Sequence, residues 1–295
     1  MISKRTLCFY FLLAFISACA QKPTKVNTKV ETPASLLVSN ASGPVKVTPE
    51  TIVVDARKRF EYQMAHYPGS VHLRWESFTD PRNPLSGQLL DDNKRMVQRL
   101  ALKGVHPRKA VIVIGEGRQG DASAARLAWT LFYYGVENVS LVGDSVLKLS
   151  SNIQETLEVP KNQELWDVPE NRGMLATKDE VLKAASDVSD SGVRKSVIID
   201  TRSEREYFKK KGFGKQYALP DLGALNIEWV HFYNEKGRPE LSMRDQLKSV
   251  GVSAKTKVIL ISDRGVRSAA VHFALLSMGF KTVKTYVDGY SGLLK

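Results

Sequence analysis

The feature that most restricts how this chain can fold is an internal repeat. Asp55-Ala56-Arg57 followed by Glu61-Tyr62, and Asp200-Thr201-Arg202 followed by Glu206-Tyr207, both read D-x-R-x-x-x-E-Y and lie 145 residues apart. The same offset relates Ser123-Ala124-Ala125 to Ser268-Ala269-Ala270. Each D-x-R follows a β-branched run (51–54 or 196–199), and each S-A-A lies downstream of another apolar run (111–114 or 258–261). Patterns kept in register over such a distance mark a duplication, so the chain must build two similar units.

Short apolar runs bounded by polar loops suit strands buried on both faces of a parallel sheet. A third run follows in each copy, at 139–142 and 283–286, and helical patterns lie between at 93–102, 122–133, 178–185 and 268–278. This alternation predicts an α/β chain, each unit a parallel sheet flanked by helices. The 295 residues suit two domains of roughly 150 residues each. The first is expected over 48–150 and the second over 176–295. A polar connection over 151–175 holds Pro160, Trp166 and Pro169, and Trp166 is expected to pack on a domain face.

The N-terminus has another character. Lys4 and Arg5 precede the apolar stretch 7–15, and Ile16-Ser17-Ala18-Cys19 closes it with small residues. Residues 1–19 therefore read as a secretory signal, too short for a permanent span. Its last four residues resemble the lipobox of bacterial lipoproteins, which implies lipidation of Cys19 and a membrane partner through that anchor. Residues 20–47 read as a tether. By analogy with enterobacterial sorting, Ala20 in place of aspartate points to the outer membrane, facing the periplasm. The only cysteines are Cys8 and Cys19, so a chain processed in this way carries no free thiol.

The net charge of +12 and pI near 9.6 suit small anions, anionic lipid or simple solubility. Without an arginine-rich tract or zinc-finger spacing, nucleic acid is not an expected partner. The sharpest cluster, Lys209-Lys210-Lys211-Gly212-Phe213-Gly214-Lys215, reads as a solvated loop, with contact to anionic lipid or an acidic partner as its functional reading.

The second copy's run 258–261 leads into Ser262-Asp263-Arg264-Gly265-Val266-Arg267 and then Ser268 at a helix start. Strand, tight loop and helix N-terminus together aim backbone N–H groups at one point, which suits an anion. D-x-R with E-Y, then His66-Tyr67-Pro68-Gly69-Ser70, resembles the first half of a rhodanese domain, whose motif reads roughly GHIPGA. The later strand, six-residue loop and helix resemble its second half. The chain is similar over about 48–295 to tandem rhodanese-like proteins, the thiosulfate and 3-mercaptopyruvate sulfurtransferases. In these the C-terminal copy carries a cysteine followed by x-x-G-x-R and takes up sulfur as a persulfide.

That resemblance places Ser262 at the cysteine position. A thiol near pKa 8.5 is readily made a thiolate in such a loop, whereas a serine hydroxyl is far more basic and forms no comparable persulfide. The implied site is Ser262 with an anion-binding set of Arg202, Asp263, Arg264, Gly265, Val266, Arg267 and Ser268. Asp55–Arg57 and Asp200–Arg202 recur in both copies and are expected to be structural. His231 and His272 are the available bases for Ser262, and no G-x-S-x-G elbow is present. The first copy's loop, 115–121, begins with glycine and is expected to hold nothing. The segment 219–224 lacks the family's histidine and is stretched.

These observations lean against an enzyme and towards a binding or scaffolding module at the cell envelope, for a small anion or an envelope protein. The alternative is a sulfurtransferase-family enzyme or a divergent activity using Ser262. No cofactor or metal is expected.

Overall fold

The structure, a computed structural model, describes residues 34–83, 87–151, 164–169, 171–187, 195–209 and 219–294. Cys19, the lysine run beyond Lys209 and most of the expected connection lie outside the described residues. Among the described residues no helix is long and apolar enough to cross a membrane.

A leading helix, α1 (Ala34–Ser42), precedes two copies of one plan. The first runs β1 (Ile52–Asp55), α2 (Arg59–Met64), β2 (Val71–His72), α3 (Asn93–Ala101), β3 (Val111–Gly115), α4 (Ser123–Tyr133) and β4 (Val139–Gly143). The second begins with α5 (Lys178–Ser186) and continues with β5 (Ser196–Asp200), α6 (Glu204–Lys209) and β6 (Leu225–Asn226). It then runs α7 (Met243–Ser249), β7 (Lys257–Ile261), α8 (Val266–Ser277), β8 (Val283–Thr285) and α9 (Gly289–Leu293). Each sheet has four parallel strands, ordered β2-β1-β3-β4 and β6-β5-β7-β8.

The register explains why the repeated motifs sit where they do. Asp55 pairs with Ile114 and Asp200 with Ile261. Each D-x-R therefore leaves its strand at the level where the neighbouring strand enters its loop. The two motifs of each copy meet at the carboxyl edge of the sheet, where open parallel sheets place their ligand sites.

The halves share a core. Helices α4 and α8 pack against each other, and α8 is apolar and buried nearly all round, as a central helix must be. Trp129, Phe132, Phe273 and Phe280 belong to one cluster with Val113 and Leu260 from the two sheets.

The described part of the expected tether is folded. Leu37 is buried, and α1 lies against α8 and β4. Arg238 from the second half donates to the carbonyls of Asn40 (2.5 Å) and Gly43 (2.7 Å), satisfying the helix's C-terminal acceptors. Trp166 donates Nε1–H to the carbonyl of Tyr134 at 2.7 Å, so it does pack on a domain face. Leu175, expected in the connection, bridges Thr285 at the outer edge of β8.

Candidate active site

The loop after β7 is organised around the Ser262 hydroxyl. Ser262 is fully buried, and its Oγ accepts N–H bonds from Gly265 (3.1 Å) and Ser268 (3.3 Å). Its own proton goes to Ser268 Oγ at 3.3 Å. Gly265 caps α8 with φ +75°, and a Cβ there would lie 2.2 Å from the Val287 carbonyl, so only glycine fits. Tyr290 N–H closes the turn from outside by donating to the Ser262 carbonyl at 3.0 Å.

The loop opens on a cleft of about 430 Å³ between the halves. The first half contributes Trp75, Glu76, Asp121 and Ser123. The second contributes Glu206, Trp229 and the loop residues Ser262, Asp263, Arg264, Val266 and Arg267. Gly265 and Ser268 are buried behind this surface and hold its shape.

The three expected arginines have different tasks. Arg267 makes a two-pronged bond to Glu206 at 2.6 and 2.8 Å. Burial works to raise the Glu206 carboxyl, but hydrogen bonds from Arg267 and Ser203 overcome it and hold the carboxyl at about 2. Arg202 closes on Asp200 at 2.6 Å and lies 4.1 Å from the Tyr290 ring centre. It faces a separate cavity of about 240 Å³ beside Tyr207, Leu219 and Leu222. Arg57 makes the same clamp on Asp55 at 2.7 Å in the first copy. Both clamps tie down a strand end; the closest ion pair is not with nearby loops, as expected, but between each arginine and its own D-x-R aspartate. Arg264 alone of the three is exposed and has no ion pair among the described residues. The expected anion set thus divides: Arg264 has no ion pair among the described residues, while Arg202 and Arg267 are held by carboxylates.

Neither histidine serves Ser262. His231 is exposed and His272 is buried, and neither lines the cleft. His272 Nδ1 shares a hydrogen bond with Thr285 Oγ1 at 2.8 Å, and burial pushes its pKa down to about 3.

The first copy's loop keeps the frame and is covered. Its cavity is only about 30 Å³. The turn 234–237 of the second half lies on it: Gly143 N–H donates to the Lys236 carbonyl at 2.7 Å, and Arg118 pairs with Glu235 at 2.7 Å. Contact this close requires Gly237, where a Cβ would meet Gly143 N at 2.6 Å. Ala122, the N-cap residue of α4 as Gly265 is of α8, adopts φ +69°, the one described non-glycine residue with positive φ.

Sequence reasoning missed the first half's share of the cleft. Trp75 belongs to no repeat motif, Asp121 lies in the loop expected to hold nothing, and Ser123 heads the first S-A-A motif, which had not been placed at the cleft. It also missed Arg126, which is fully buried on α4 and donates Nη1–H to the Gly265 carbonyl at 3.0 Å. One signal was available: Arg126 stands where the repeat's second copy has Val271.

A sequence model of the rhodanese-like domain matches residues 40–151 and 179–295. The chain belongs to the rhodanese-like domain family. It is 28% identical over 263 residues to the 3-mercaptopyruvate sulfurtransferase of Escherichia coli (strain K12), covering 82% of this chain and 89% of that one. It is 24% identical over 244 residues to the probable 3-mercaptopyruvate sulfurtransferase of Schizosaccharomyces pombe, covering 79% of each. Among solved structures it is similar to SseA from E. coli, a 3-mercaptopyruvate sulfotransferase. There the TM-score is 0.65 and the identity 26%, over 82% of this chain and 93% of that one. Wild-type EanB shares the fold, with TM-score 0.66 and 20% identity over 88% of this chain and 65% of that one.

These relatives correct the leaning against an enzyme. That leaning rested on one residue, Ser262, whereas the likeness to sulfurtransferases runs through both domains and nearly the full length of the relatives.

Proposed function

We propose that this rhodanese-like protein is a sulfurtransferase-family enzyme that moves sulfur directly between two small molecules bound together in the cleft. The observation that carries this reading is the contrast between the two loops. One frame is covered to about 30 Å³, and the other opens on about 430 Å³ with Arg264 at its mouth, without an ion pair among the described residues. A mercapto-acid such as the 3-mercaptopyruvate named for the relatives would place its carboxylate on Arg264, where a guanidinium gives a two-pronged hydrogen bond.

Ser262 determines the route. Its hydroxyl is engaged with two backbone amides and Ser268, no base among the described residues takes its proton, and oxygen does not hold sulfane sulfur as a thiolate does. In the direct route an acceptor thiolate attacks the donor sulfur and forms the new S–S bond with its own electron pair. The carbon–sulfur bond breaks, its electrons leave as the enolate of the keto acid, and water protonates that enolate to pyruvate. The protein's part is to hold both molecules in line.

Incubation of the full chain with 3-mercaptopyruvate and a small thiol tests this. Pyruvate should form in step with persulfide, and Arg264→Ala should raise KM about ten-fold or more, the worth of one charge-assisted hydrogen bond. Pyruvate formation no faster than without protein would overturn the proposal.

We further propose that Cys19 is lipidated and anchors the protein at the cell envelope, a reading supported by the charged start, short apolar stretch and small-residue ending of 1–19. Mass spectrometry of the N-terminal peptide tests it; an unmodified Cys19 or cleavage elsewhere refutes it.

A further inference from the structure

Arg126 is a fully buried cation on α4. Among the described residues no carboxylate pairs with it. Its guanidinium lies 4.7 Å from the ring centre of Trp129 and 5.5 Å from that of Trp75, and Nε finds no hydrogen-bond partner among the described residues. Burial pushes its pKa down to about 9 against a smaller opposing effect from Tyr134. A buried charge without a counter-ion is strongly unfavourable unless its protons are taken up, and here two carbonyls and two aromatic faces must do this.

The two carbonyls indicate its use. Nη1 donates to Gly265, the left-handed residue at the turn of the site loop, at 3.0 Å, and Nη2 donates to Gly87. Gly87 in turn donates its N–H to the Val287 carbonyl at 3.1 Å, the oxygen against which Gly265 is packed. One guanidinium from the first half therefore joins two backbone segments that close around the second half's loop. The Gly265 carbonyl follows directly on Arg264, and the Gly265 amide is one of the two that bind Ser262 Oγ. The repeat gives an independent sign. Offset by 145 residues, Arg126 corresponds to Val271, so the copies diverge in one direction only. The first half supplies a cation to the open loop, while the second half supplies an apolar residue at the matching place.

We infer that Arg126 is a positioning residue for the 262–268 loop, holding it in its binding conformation from the opposite domain, so that the site exists only in the tandem. This rests on the proposed function for the meaning of the site, but the geometry it asserts can be measured separately.

Hydrogen exchange on the full chain decides it, comparing Arg126→Met and Arg126→Lys with the parent, each first shown to unfold cooperatively. In Arg126→Met, peptides spanning 262–268 should exchange at least ten-fold faster, while the β3 and β7 strands keep their protection. Arg126→Lys restores a cationic donor and should recover part of that protection. Should the Met variant not fold, the Lys variant decides alone, with a smaller increase confined to 262–268. Unchanged exchange in the loop, or equal acceleration throughout the chain, would overturn the inference and leave Arg126 a packing residue. Sulfur transfer gives a second readout: both variants should lower kcat/KM for 3-mercaptopyruvate, Met more than Lys. A parent without activity would sink the proposed function alone, because the exchange result stands without it.

Discussion

Ser262 Oγ is the acceptor for two buried amides, so the hydroxyl has a structural task whatever reaches the cleft. Ser262→Ala leaves the Gly265 and Ser268 amides without that acceptor, at a cost of about 1–3 kcal/mol for an unsatisfied buried group. A fall in the urea midpoint without a change in slope is the expected outcome, and an unchanged midpoint would show that the loop re-forms its bonds elsewhere. At this scale the sequence was informative about frame and poor about commitment. The loop's spacing pointed to Ser262 and Arg264, and both line the cleft. It could not show that Arg267 is taken by Glu206, 61 residues away, because such a pair forms only when α6 and α8 are brought together. Asp200 and Arg202 were expected to pair with nearby loops; neither their clamp on each other nor the turning of Arg202 towards a separate cavity was legible.

Among the elements, three strands of each sheet and helices α3, α4, α5 and α8 follow the apolar periodicity to within a residue or two, because each run is long enough to need a buried face. The two-residue β2 and β6 and the short α2, α6, α7 and α9 carry too few apolar residues to show a period. Helix α1 was not legible. Its stretch is short and set in polar, proline-containing chain, and its stability comes from burying Leu37 and from the Arg238 cap nearly 200 residues away. Arg238→Ala should accordingly speed hydrogen exchange in 39–43 and leave the two sheets protected; equal protection there would remove the cap from the account. The covered first loop depends on Gly237, where a side chain would meet the backbone of Gly143 and Gly117 at φ +68°. Gly237→Ala should cost roughly 1–3 kcal/mol, read as a lowered urea midpoint, for a strained left-handed residue in close backbone contact.

For the whole molecule, the repeat showed two units but not that they share one core through α4 and α8. Apolar helices read the same whether they face their own sheet or a partner. A shared core predicts one cooperative unfolding transition, and two separated transitions by tryptophan fluorescence would contradict it. Acid should weaken this unit in two overlapping windows. His272 stays neutral in the fold down to about 3, so the unfolded chain takes a proton first and stability declines as pH falls from about 6.5, by about 1.4 kcal/mol per pH unit for one such group. Glu206, held at about 2, contributes stability that is complete above its usual 4.5 and is lost as pH falls from there towards 2. His272→Gln should flatten the curve between about 6.5 and 4.5 and leave the lower window in place. The central claim, direct transfer between two molecules bound in one cleft, is tested most directly by initial rates with 3-mercaptopyruvate and the acceptor thiol varied together. Intersecting double-reciprocal lines are predicted for the parent, whereas Ser262→Cys should gain the mass of one sulfur atom on the introduced thiol and show the parallel lines of a carried intermediate. Parallel lines in the parent, or no transfer above the protein-free rate, would contradict it.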